Sequence, residues 1–341
     1  MKQKIIVTGG CGYIGSHTVV ELLTNNFEVV IVDDLSNSTI KILDRIEKIT
    51  AVKPEFVHID LKSAAATKDF FESHKDAAAV IHFAAHKAVA ESIQNPLMYY
   101  NNNFVSLINV LISMQEFGIS NFIFSSSATV YGNPSVMPIR EQTPTQRPFS
   151  PYGNSKRIAE EILEDVCSAH PDFSTILLRY FNPIGAHSSG FIGEFPSGVP
   201  NNLMPYITQT AAGLREKLSV FGDDYPTKDG TAVRDYIHVV DLADAHVKAV
   251  CRLLSDHTQR NIETINLGTG IGYSVLEVIK AFEAVSGKPL NYEVTSRREG
   301  DVAELYASTA LAKKLLNWEA KLGLESMVQS SWDWEQNLRN E

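Results

Sequence analysis

The stretch SPYGNSK, residues 150–156, places a tyrosine and a lysine four positions apart at the start of a predicted helix. Ser followed by Pro is a helix-start signal, and the apolar spacing that follows predicts an amphipathic helix over Tyr152–Ala169. Tyr152 and Lys156 therefore share one helix face, one turn apart. The pair is either a surface contact or half of an active site, because chance alone provides about one Tyr-x-x-x-basic match in a chain of this composition.

The chemistry available to this pair is proton transfer. A free phenol has a pKa of roughly 10, so it is a poor base near neutral pH. The neighbouring ammonium group of Lys156 favours the phenolate and lowers that pKa. A candidate partner is Ser127, which follows the strand predicted over Asn121–Ser125. It would lie just beyond the carboxyl end of that strand, where ligands bind in open α/β sheets.

A glycine series near the N-terminus indicates a dinucleotide site. The strand predicted over Lys4–Thr8 runs directly into Gly9, Gly12 and Gly15, which open a helix predicted over Tyr13–Asn25. Glycines in this context allow a tight turn and close approach of the backbone to a pyrophosphate, which faces the positive end of the helix dipole. Such a series is weak evidence alone, but the strand before it and the helix after it strengthen the prediction.

Asp33 ends the second predicted strand, Glu28–Val32, and suggests which dinucleotide binds. A carboxylate at this strand tip can accept hydrogen bonds from both hydroxyls of an adenosine ribose, and it would repel a 2′-phosphate. The sequence therefore favours NAD over NADP. The alternative is that Asp33 is an ordinary loop residue or helix cap.

The elements that must position these residues alternate between strand and helix through the first half of the chain. Further strands are predicted over Phe56–Asp60, Ala79–Phe83, Asn121–Ser125 and Thr175–Tyr180, and further helices over Ala65–His74, Pro96–Phe117 and Tyr152–Ala169. The strands are almost continuously apolar, as expected for parallel strands covered on both faces. The predicted fold is a doubly wound, parallel α/β Rossmann sheet.

After residue 182 the pattern changes. Gly185–Pro205 is rich in Gly, Pro and Asn, and mixed elements return at helix Met204–Leu214, strand Leu218–Phe221, helix Val240–Leu254, strand Thr264–Leu267 and helix Ser274–Ser286. We expect a smaller mixed α/β C-terminal lobe that binds the substrate. The predicted domains are residues 1–181 for NAD, with 235–268 packing back onto them, and residues 182–234 with 269–341 for the substrate.

Composition limits the class of protein. The 341 residues carry 30 basic and 40 acidic side chains, a formal charge of −10, so no basic stripe argues for nucleic acid or an anionic membrane. The N-terminus has too few apolar residues for a signal peptide, and no later segment reaches the length of a membrane span. The three cysteines have no metal-ligand spacing, so we expect reduced thiols, no metal site and a cytoplasmic location.

Together these motifs resemble the extended branch of the short-chain dehydrogenase/reductase family, and within it the UDP-glucose 4-epimerase family. The resemblance spans essentially the whole chain and rests on Gly9–Ser16, Ser125–Gly132, Tyr152–Lys156, Arg179–Gly185, Pro200–Tyr206, Arg234–Val239 and Arg297–Asp301. Any one of these motifs is unspecific, whereas the set is specific.

The resemblance implies a role for each matching residue. Ser127, Tyr152 and Lys156 would be catalytic. The NAD site would be formed by Gly9, Gly12, Tyr13, Ile14, Gly15, Asp33, Asp34, Leu35, Ser36, Asn37, Ser38, Asp60, Leu61, Phe83, Ala84, Ala85, His86, Lys87, Asn102, Ser127, Tyr152, Lys156, Tyr180 and Phe181. The UDP-hexose would contact Lys87, Ser127, Tyr152, Tyr180, Asn182, Asn202, Leu203, Ser219, Val220, Phe221, Arg234, Tyr236, Arg298, Asp301 and Leu305. Without the resemblance, the Arg297–Asp301 segment would be interpreted as a solvated charged loop.

The implied reaction inverts C4 of UDP-glucose or UDP-galactose. Tyr152 would take the C4 hydroxyl proton while the hydride passes to NAD, and Ser127 would hydrogen-bond the same oxygen. Lys156 would also hold the nicotinamide ribose, and its ammonium together with the positive nicotinamide ring would lower the pKa of Tyr152. The 4-keto sugar would then turn about its phosphate linkage and accept the hydride on its other face. This chemistry belongs to galactose metabolism.

Two other functions remain open on the residues alone. A sugar 4,6-dehydratase of the same branch needs an added acid and base beside the serine, whereas Ala128 and Thr129 follow Ser127 here. A redox-sensing protein that only binds the dinucleotide typically lacks the Tyr/Lys pair, which this chain keeps.

Two further expectations concern selectivity and assembly. Members restricted to plain hexoses carry a tyrosine where this chain has Leu305, so UDP-N-acetylglucosamine could serve as a second substrate. The resemblance also implies a homodimer formed through the long helix Pro96–Phe117. His86 and the buried His82 are expected to pack rather than to react.

Overall fold

The structure is a computed structural model that describes residues 2–196, 198–255, 258, 260–298 and 300–340. Ser197 in the predicted Gly185–Pro205 segment and Glu299 in the Arg297–Asp301 motif lie outside the described residues. The strands are β1 (Lys4–Thr8), β2 (Glu28–Asp33), β3 (Glu55–His58), β4 (Ala79–His82), β5 (Asn121–Ser127), β6 (Ser174–Tyr180), β7 (Asn182–Ile184), β8 (Leu218–Phe221), β9 (Val233–His238), β10 (Ile262–Leu267), β11 (Gly272–Ser274), β12 (Tyr292–Thr295) and β13 (Glu304–Leu305). The helices are α1 (Tyr13–Thr24), α2 (Lys41–Thr50), α3 (Ala64–Ser73), α4 (Val89–Gln94), α5 (Pro96–Phe117), α6 (Pro151–Ala169), α7 (Leu203–Ala211), α8 (Val239–Leu254), α9 (Val275–Ser286), α10 (Ala310–Leu316) and α11 (Leu324–Asn340), with a 3-10 turn at Ala128–Tyr131.

A seven-stranded sheet with the order β10-β6-β5-β4-β1-β2-β3 confirms the predicted doubly wound α/β fold. The pairs β2/β3, β1/β2, β1/β4 and β4/β5 are parallel, so the carboxyl ends of β1, β2, β4 and β5 meet at one edge. The chain order reverses between β1 and β4. In doubly wound sheets this switch point is where the ligand crevice forms.

The sheet forms because its strands are rich in β-branched residues that pack on both faces. On one face, Val30 and Phe122 of the strands contact buried residues of α3, α5 and α6, including Phe71, Leu107 and Leu163. The bounds of α5 are those predicted, and those of β1 and β8 also match the prediction. The dehydration of this large apolar surface is what holds helices and sheet together.

The chain forms two compact units, each built from separate segments. The first comprises the chain up to Gly132 together with Thr145–Arg179 and Ala243–Ile265. The second comprises Asn133–Pro144, Tyr180–Leu242 and the chain from Asn266 onward. This division differs from the predicted domains in four places, because residues 133–144, 180–181, 235–242 and 266–268 belong to the second unit.

The second unit has its own hydrophobic core and two small sheets. One sheet contains β11, β9 and β13, with β7 pairing to β9, and the other pairs β8 with β12. Residues of α7, α9 and α11 pack around these strands, among them Ile207, Phe282 and Trp332. A capping box at Ser274 and Glu277 begins α9, one residue after its predicted start.

Several elements were not predicted, and the position of Ser127 was slightly wrong. Helix α2 carries a clear amphipathic pattern, with Ile42, Leu43 and Ile46 buried, yet no helix was predicted there. Strand β9 was treated only as a motif. Ser127 is the last residue of β5 rather than a residue beyond it, because the strand continues through the two preceding serines. Among the described residues, no helix combines the length and apolar character needed to cross a membrane.

Candidate active site

The first unit gathers four groups of predicted site residues at one edge of the parallel sheet. The glycine turn follows β1, Asp33 ends β2, the segment from Phe83 to Lys87 follows β4, and Ser127 ends β5. Because β5, β4, β1 and β2 are neighbours in that order, these groups lie side by side along the edge. Helix α6 adds Tyr152 and Lys156 to the same unit.

Two glycines of the turn are required by its backbone, and the third leaves free space beside it. Gly9 has a φ of +69°, and its N–H donates to the Val32 carbonyl at 2.7 Å. A Cβ on Gly15 would lie 2.3 Å from the Gly9 oxygen, so only glycine fits there. A Cβ on Gly12 would meet only that oxygen, at 3.2 Å. Gly12 therefore leaves space at the N-terminus of α1, where the helix dipole favours an anion such as a pyrophosphate.

Asp33 is a buried carboxylate held by donors from its own chain. Its Oδ2 accepts from the Cys11 N–H at 3.0 Å, and its Oδ1 accepts from the Leu35 N–H and the Ser38 hydroxyl, both at 2.9 Å. Burial raises the pKa of Asp33, while these hydrogen bonds act in the opposite direction. Each carboxylate oxygen has two acceptor sites, so Oδ2 keeps one for a ribose hydroxyl. The glycine turn and Asp33 thus fit a dinucleotide.

The other predicted cofactor residues of the first unit occupy loops at the ends of β2, β3 and β4. Asp34, Leu35, Ser36, Asn37 and Ser38 follow β2, Asp60 and Leu61 follow β3, and Phe83, Ala84, Ala85, His86 and Lys87 follow β4. The ammonium of Lys87 lies 5.8 Å from the centre of the Tyr13 ring, and Ile14 is the next residue of α1. Asn102, on α5, accepts a hydrogen bond from Lys62 at 2.9 Å through its side-chain oxygen.

Helix α6 presents the tyrosine and lysine as predicted from its cap. The Ser150 hydroxyl accepts from the Gly153 N–H at 3.1 Å, which confirms Ser150 as the N-cap residue. Ser127 Oγ accepts hydrogen bonds from both the N–H and the hydroxyl of Thr129, at 3.2 and 3.0 Å. Ser127 also hydrogen-bonds Tyr152. Ser127 and Tyr152 are therefore in direct contact.

Burial dominates the electrostatics of Tyr152 in the chain alone. Burial raises the pKa of Tyr152 to about 12, and the hydrogen bond with Ser127 opposes that rise. The expected lowering of this pKa depends on Lys156 and a nicotinamide ring together. The Lys156 ammonium instead donates to the Ser125 carbonyl at 2.7 Å and lies 4.8 Å from the centre of the Phe124 ring. A further positive charge is needed to make Tyr152 a base near neutral pH.

A buried ion pair between Glu160 and Arg179 lies next to Lys156 on α6. Lys156 is 4% exposed, and burial lowers its pKa to about 7, while the carboxylate of Glu160 one turn later acts to raise it. Glu160 forms a bidentate ion pair with Arg179, at 2.9 and 2.6 Å, and accepts from the Ser126 hydroxyl at 2.5 Å. This network connects α6 to Ser126, the residue before Ser127.

The second unit brings together the predicted UDP-binding arginines around one aspartate. Arg234, on β9, donates to Asp301 Oδ1 at 2.9 Å, and Arg298 pairs with Oδ2 of the same residue at 3.0 Å. The guanidinium of Arg298 also lies 5.6 Å from the centre of the Phe221 ring. Two planar cations held by one anion leave positive charge available for a diphosphate.

The remaining predicted substrate residues also belong to the second unit. Tyr180 ends β6 and Phe181 follows it, Asn182 begins β7, Asn202 precedes α7 and Leu203 begins it, Ser219, Val220 and Phe221 lie on β8, Tyr236 on β9 and Leu305 on β13. The Asn202 amide donates to Glu194 at 2.6 Å. Val220 and Tyr236 pack in the core of this unit, so their side chains face its interior. Leu305 is aligned with Arg234 across the β13/β9 pair.

Three residues that hold these sites in place are not among the predicted site residues. Asn103 holds the backbone of His86, Glu160 faces Arg179, and the fully buried Asp235 accepts from Thr269, Gly270 and Ala307 at 2.7–3.1 Å. Asn103 ends a run of three asparagines on a helix, and asparagine is a poor helix former. That anomaly was a usable signal. His82 is buried and lies 2.9 Å from the Thr8 hydroxyl, which confirms the packing role expected for it.

The chain is similar to known proteins over nearly its whole length. A family model described as GDP-mannose 4,6 dehydratase matches residues 6–331. UDP-glucose 4-epimerase of Bacillus subtilis (strain 168) is 52% identical over 338 residues, which cover 99% of this chain and 98% of that protein. The Mus musculus UDP-glucose 4-epimerase is 50% identical over 339 residues, which cover 98% and 96%.

Solved structures of proteins with the same name are also similar to this chain in fold. The UDP-glucose-4-epimerase of Stenotrophomonas maltophila with bound NAD and formylated UDP-arabinopyranose superposes with a TM-score of 0.95 at 46% identity, covering 99% of both chains. The Bifidobacterium longum enzyme in complex with NAD+ and UDP gives 0.94 at 46% identity, again covering 99% of both. The UDP-Glc/GlcNAc 4-epimerase of Campylobacter jejuni gives 0.84 at 38% identity, covering 98% of this chain and 99% of that one.

Proposed function

The chain belongs to the UDP-glucose 4-epimerase family, and we propose from this membership that it interconverts UDP-glucose and UDP-galactose with NAD as its cofactor. It is an isomerase that inverts C4 of the hexose through a transient 4-keto sugar. The observation that carries this function is the contact of Ser127 with Tyr152 at the carboxyl edge of the sheet, with Lys156 one helical turn away.

The family model is described as a dehydratase, yet the epimerase function is the better supported of the two. Relatives at about half identity over nearly the whole chain are epimerases. The local residues agree, because elimination of water needs an additional acid and base beside the serine. Ala128 and Thr129 occupy those positions, and Thr129 uses both its N–H and its hydroxyl to hold Ser127. Neither side chain is an acid or a base that titrates near neutral pH.

The residues of the chain control the proton at the C4 oxygen. Ser127 and Tyr152 would hold that oxygen between two hydroxyls, and Tyr152 would accept its proton and later return it. Lys156 follows Tyr152 by one turn of α6, and Glu160 favours its charged form. When bound, NAD supplies the hydride acceptor and a cationic ring that favours the phenolate, which offsets the effect of burial on Tyr152.

The two sets of binding residues divide the ligands between them. We assign NAD to the glycine turn, Asp33, the segment after β4, and Asn102 in the first unit, and the UDP moiety to Arg234, Arg298 and Asp301 in the second. Affinity would then reside in the nucleotide while the hexose is free to turn, which an epimerase requires.

Three finer proposals extend this function. First, the enzyme serves galactose metabolism in the cytoplasm. Second, it forms a homodimer, which is supported by apolar side chains exposed on α4 and α5, among them Ile93, Leu97 and Ile112. Third, Leu305 admits N-acetylhexosamines, which is supported by the similarity to an enzyme named for both UDP-Glc and UDP-GlcNAc.

The decisive assay supplies UDP-galactose to the purified protein without added NAD and measures UDP-glucose formation. The unmodified protein should form product with retained cofactor, and Tyr152→Phe should lose at least about 10²-fold in kcat because it lacks the proton acceptor. The variant should keep its cofactor and its unfolding midpoint. No product even with NAD supplied, together with a 4-keto-6-deoxy product from a nucleotide glucose, would establish a dehydratase instead.

A further inference from the structure

Tyr225 lies in the loop that connects β8 to β9, and the backbone holds it in one place. Its N–H donates to the Gly230 carbonyl at 2.9 Å, and its carbonyl accepts from Thr227 at 2.7 Å. A Cβ on Gly222 would lie 2.7 Å from the Tyr225 ring, and a Cβ on Gly230 would lie 1.9 Å from the Asp223 oxygen. Both glycines have positive φ. The loop therefore closes tightly around the ring.

The ring is covered but its hydroxyl is not satisfied. Tyr225 is 5% exposed, and the guanidinium of Arg297 stacks 4.1 Å from the ring centre. Among the residues that the structure describes, no group hydrogen-bonds the buried Tyr225 hydroxyl. Leaving a buried hydroxyl unpaired is unfavourable, so such a group usually has a partner in the functional state.

The charges around this hydroxyl are those of the predicted UDP site. Tyr225 interacts electrostatically with Asp301, Arg297, Arg234 and Arg298. Arg297 has a partner of its own in Asp224, at 2.6 Å, whereas Arg234 and Arg298 share Asp301. Burial raises the pKa of Tyr225, with Asp301 acting in the same sense, so the phenol remains protonated and can only gain by donating to an anion.

We propose that the Tyr225 hydroxyl donates a hydrogen bond to the diphosphate of the nucleotide sugar held by Arg234 and Arg298. This inference rests on the proposed function, because it assigns the ligand that the same arginines bind. A hydrogen bond to an ionised acceptor is shorter and stronger than one between neutral groups. Neither the uridine nor the hexose carries the negative charge that these arginines favour as a hydrogen-bond partner for the hydroxyl. Tyr225 is thus a residue that selects for the diphosphate.

The test is Tyr225→Phe, which removes one oxygen and keeps the ring beneath Arg297. Calorimetric titration with UDP should give a Kd raised about tenfold, which corresponds to the loss of one charge-assisted hydrogen bond. Titration with uridine, which lacks the diphosphate, should give the same Kd for the variant and the unmodified protein. The matched control is Tyr292→Phe on β12, at an exposed position of the same unit, and it should bind UDP normally.

The stability of the ligand-free variant separates a binding role from a structural one. Removal of an unpaired buried hydroxyl should leave the unfolding midpoint unchanged or raise it, while the UDP-induced rise in the midpoint should shrink. Equal UDP affinity in Tyr225→Phe and the unmodified protein would overturn the inference and leave the proposed function intact. A lowered midpoint with unchanged UDP affinity would also overturn it. Failure of the unmodified protein to bind UDP would overturn both.

Discussion

Asn103 holds both backbone polar groups of His86 with the two ends of its side-chain amide. The amide oxygen accepts from the His86 N–H at 2.8 Å, and the amide nitrogen donates to the His86 carbonyl at 3.1 Å. The same nitrogen donates to the Ser155 hydroxyl at 3.0 Å, and Ser155 donates to the Tyr152 carbonyl at 2.7 Å. One side chain on α5 thus connects the segment after β4 with the turn of α6 that carries Tyr152.

We predict that Asn103→Ala lowers kcat about 10- to 100-fold, because small displacements of positioned catalytic groups have effects of that size. KM for UDP-galactose should change little, since no UDP-binding residue is touched. Ser155→Ala removes only the connection to α6 and should have a smaller effect. Steady-state kinetics of both variants provide the measurement. A loss confined to KM, or a kcat equal to that of the unmodified enzyme, would contradict a positioning role.

The glycine turn permits a paired test of structure against binding. Gly15→Ala places a methyl group 2.3 Å from the Gly9 oxygen and should lower the free energy of unfolding by about 2 kcal/mol or more. Gly12→Ala meets that oxygen at 3.2 Å and should cost under about 1 kcal/mol, yet block the approach of the pyrophosphate. Urea unfolding and the NAD content of the purified proteins measure the two effects. Normal NAD retention in Gly12→Ala would show that the pyrophosphate does not bind next to Gly12.

Glu160 should set the alkaline limit of activity through Lys156. Its carboxylate stabilises the ammonium and raises the lysine pKa, so Glu160→Gln should lower that pKa further and leave less ammonium at pH 7 to 8. The alkaline limb of the kcat/KM profile should therefore move to lower pH. An alkaline limb at the same pH as in the unmodified enzyme would show that Lys156 is insensitive to Glu160.

The same substitution leaves Arg179 buried without a charged partner, so it should also destabilise the protein by about 3–5 kcal/mol. Ser126→Ala serves as the control, because it removes one hydrogen bond to Glu160 but keeps the charge. This variant should lose stability modestly and keep its alkaline limb. A shifted limb in Ser126→Ala would assign the pH effect to packing rather than to charge.

Leu305→Tyr should narrow the range of sugars. Leu305 is 8% exposed on β13, beside Arg234, and a phenol ring would fill volume that a 2-acetamido group needs. We expect the ratio of UDP-N-acetylglucosamine to UDP-glucose turnover to fall at least about tenfold. Leu305→Met conserves volume and should keep the ratio. If the unmodified enzyme does not turn over N-acetylhexosamines, the proposal that Leu305 admits them is wrong.

The sheet and its glycine turn could be predicted because their signals are local. A strand, a turn and a helix begin within a few residues of one another around Gly12, and the apolar runs of the parallel strands are continuous. Helix α2 was equally legible, since Ile42 and Ile46 repeat at helical spacing. The sequence therefore contains the signal for α2.

The supporting residues could not be predicted because their meaning depends on distant partners. The residues near Glu160 in the sequence do not indicate that it pairs with Arg179. The loop after Phe221 likewise gives no indication that, among the described residues, the buried Tyr225 hydroxyl has no hydrogen-bond partner. The rise that burial causes in the pKa of Tyr152 could not be predicted for the same reason. Spacing shows the lysine one turn away, but burial is a property of the folded chain.

The two compact units are each assembled from segments that alternate along the chain, with the first completed only by Ala243–Ile265. During synthesis the N-terminal strands and helices therefore emerge long before the last segment of their own unit. A ribosome stalled before Ile265 would carry a sheet that lacks its edge strand β10, with apolar surface exposed to chaperones. Nascent chains of this enzyme should gain protease resistance in the first unit only after residues 243–265 have left the ribosome.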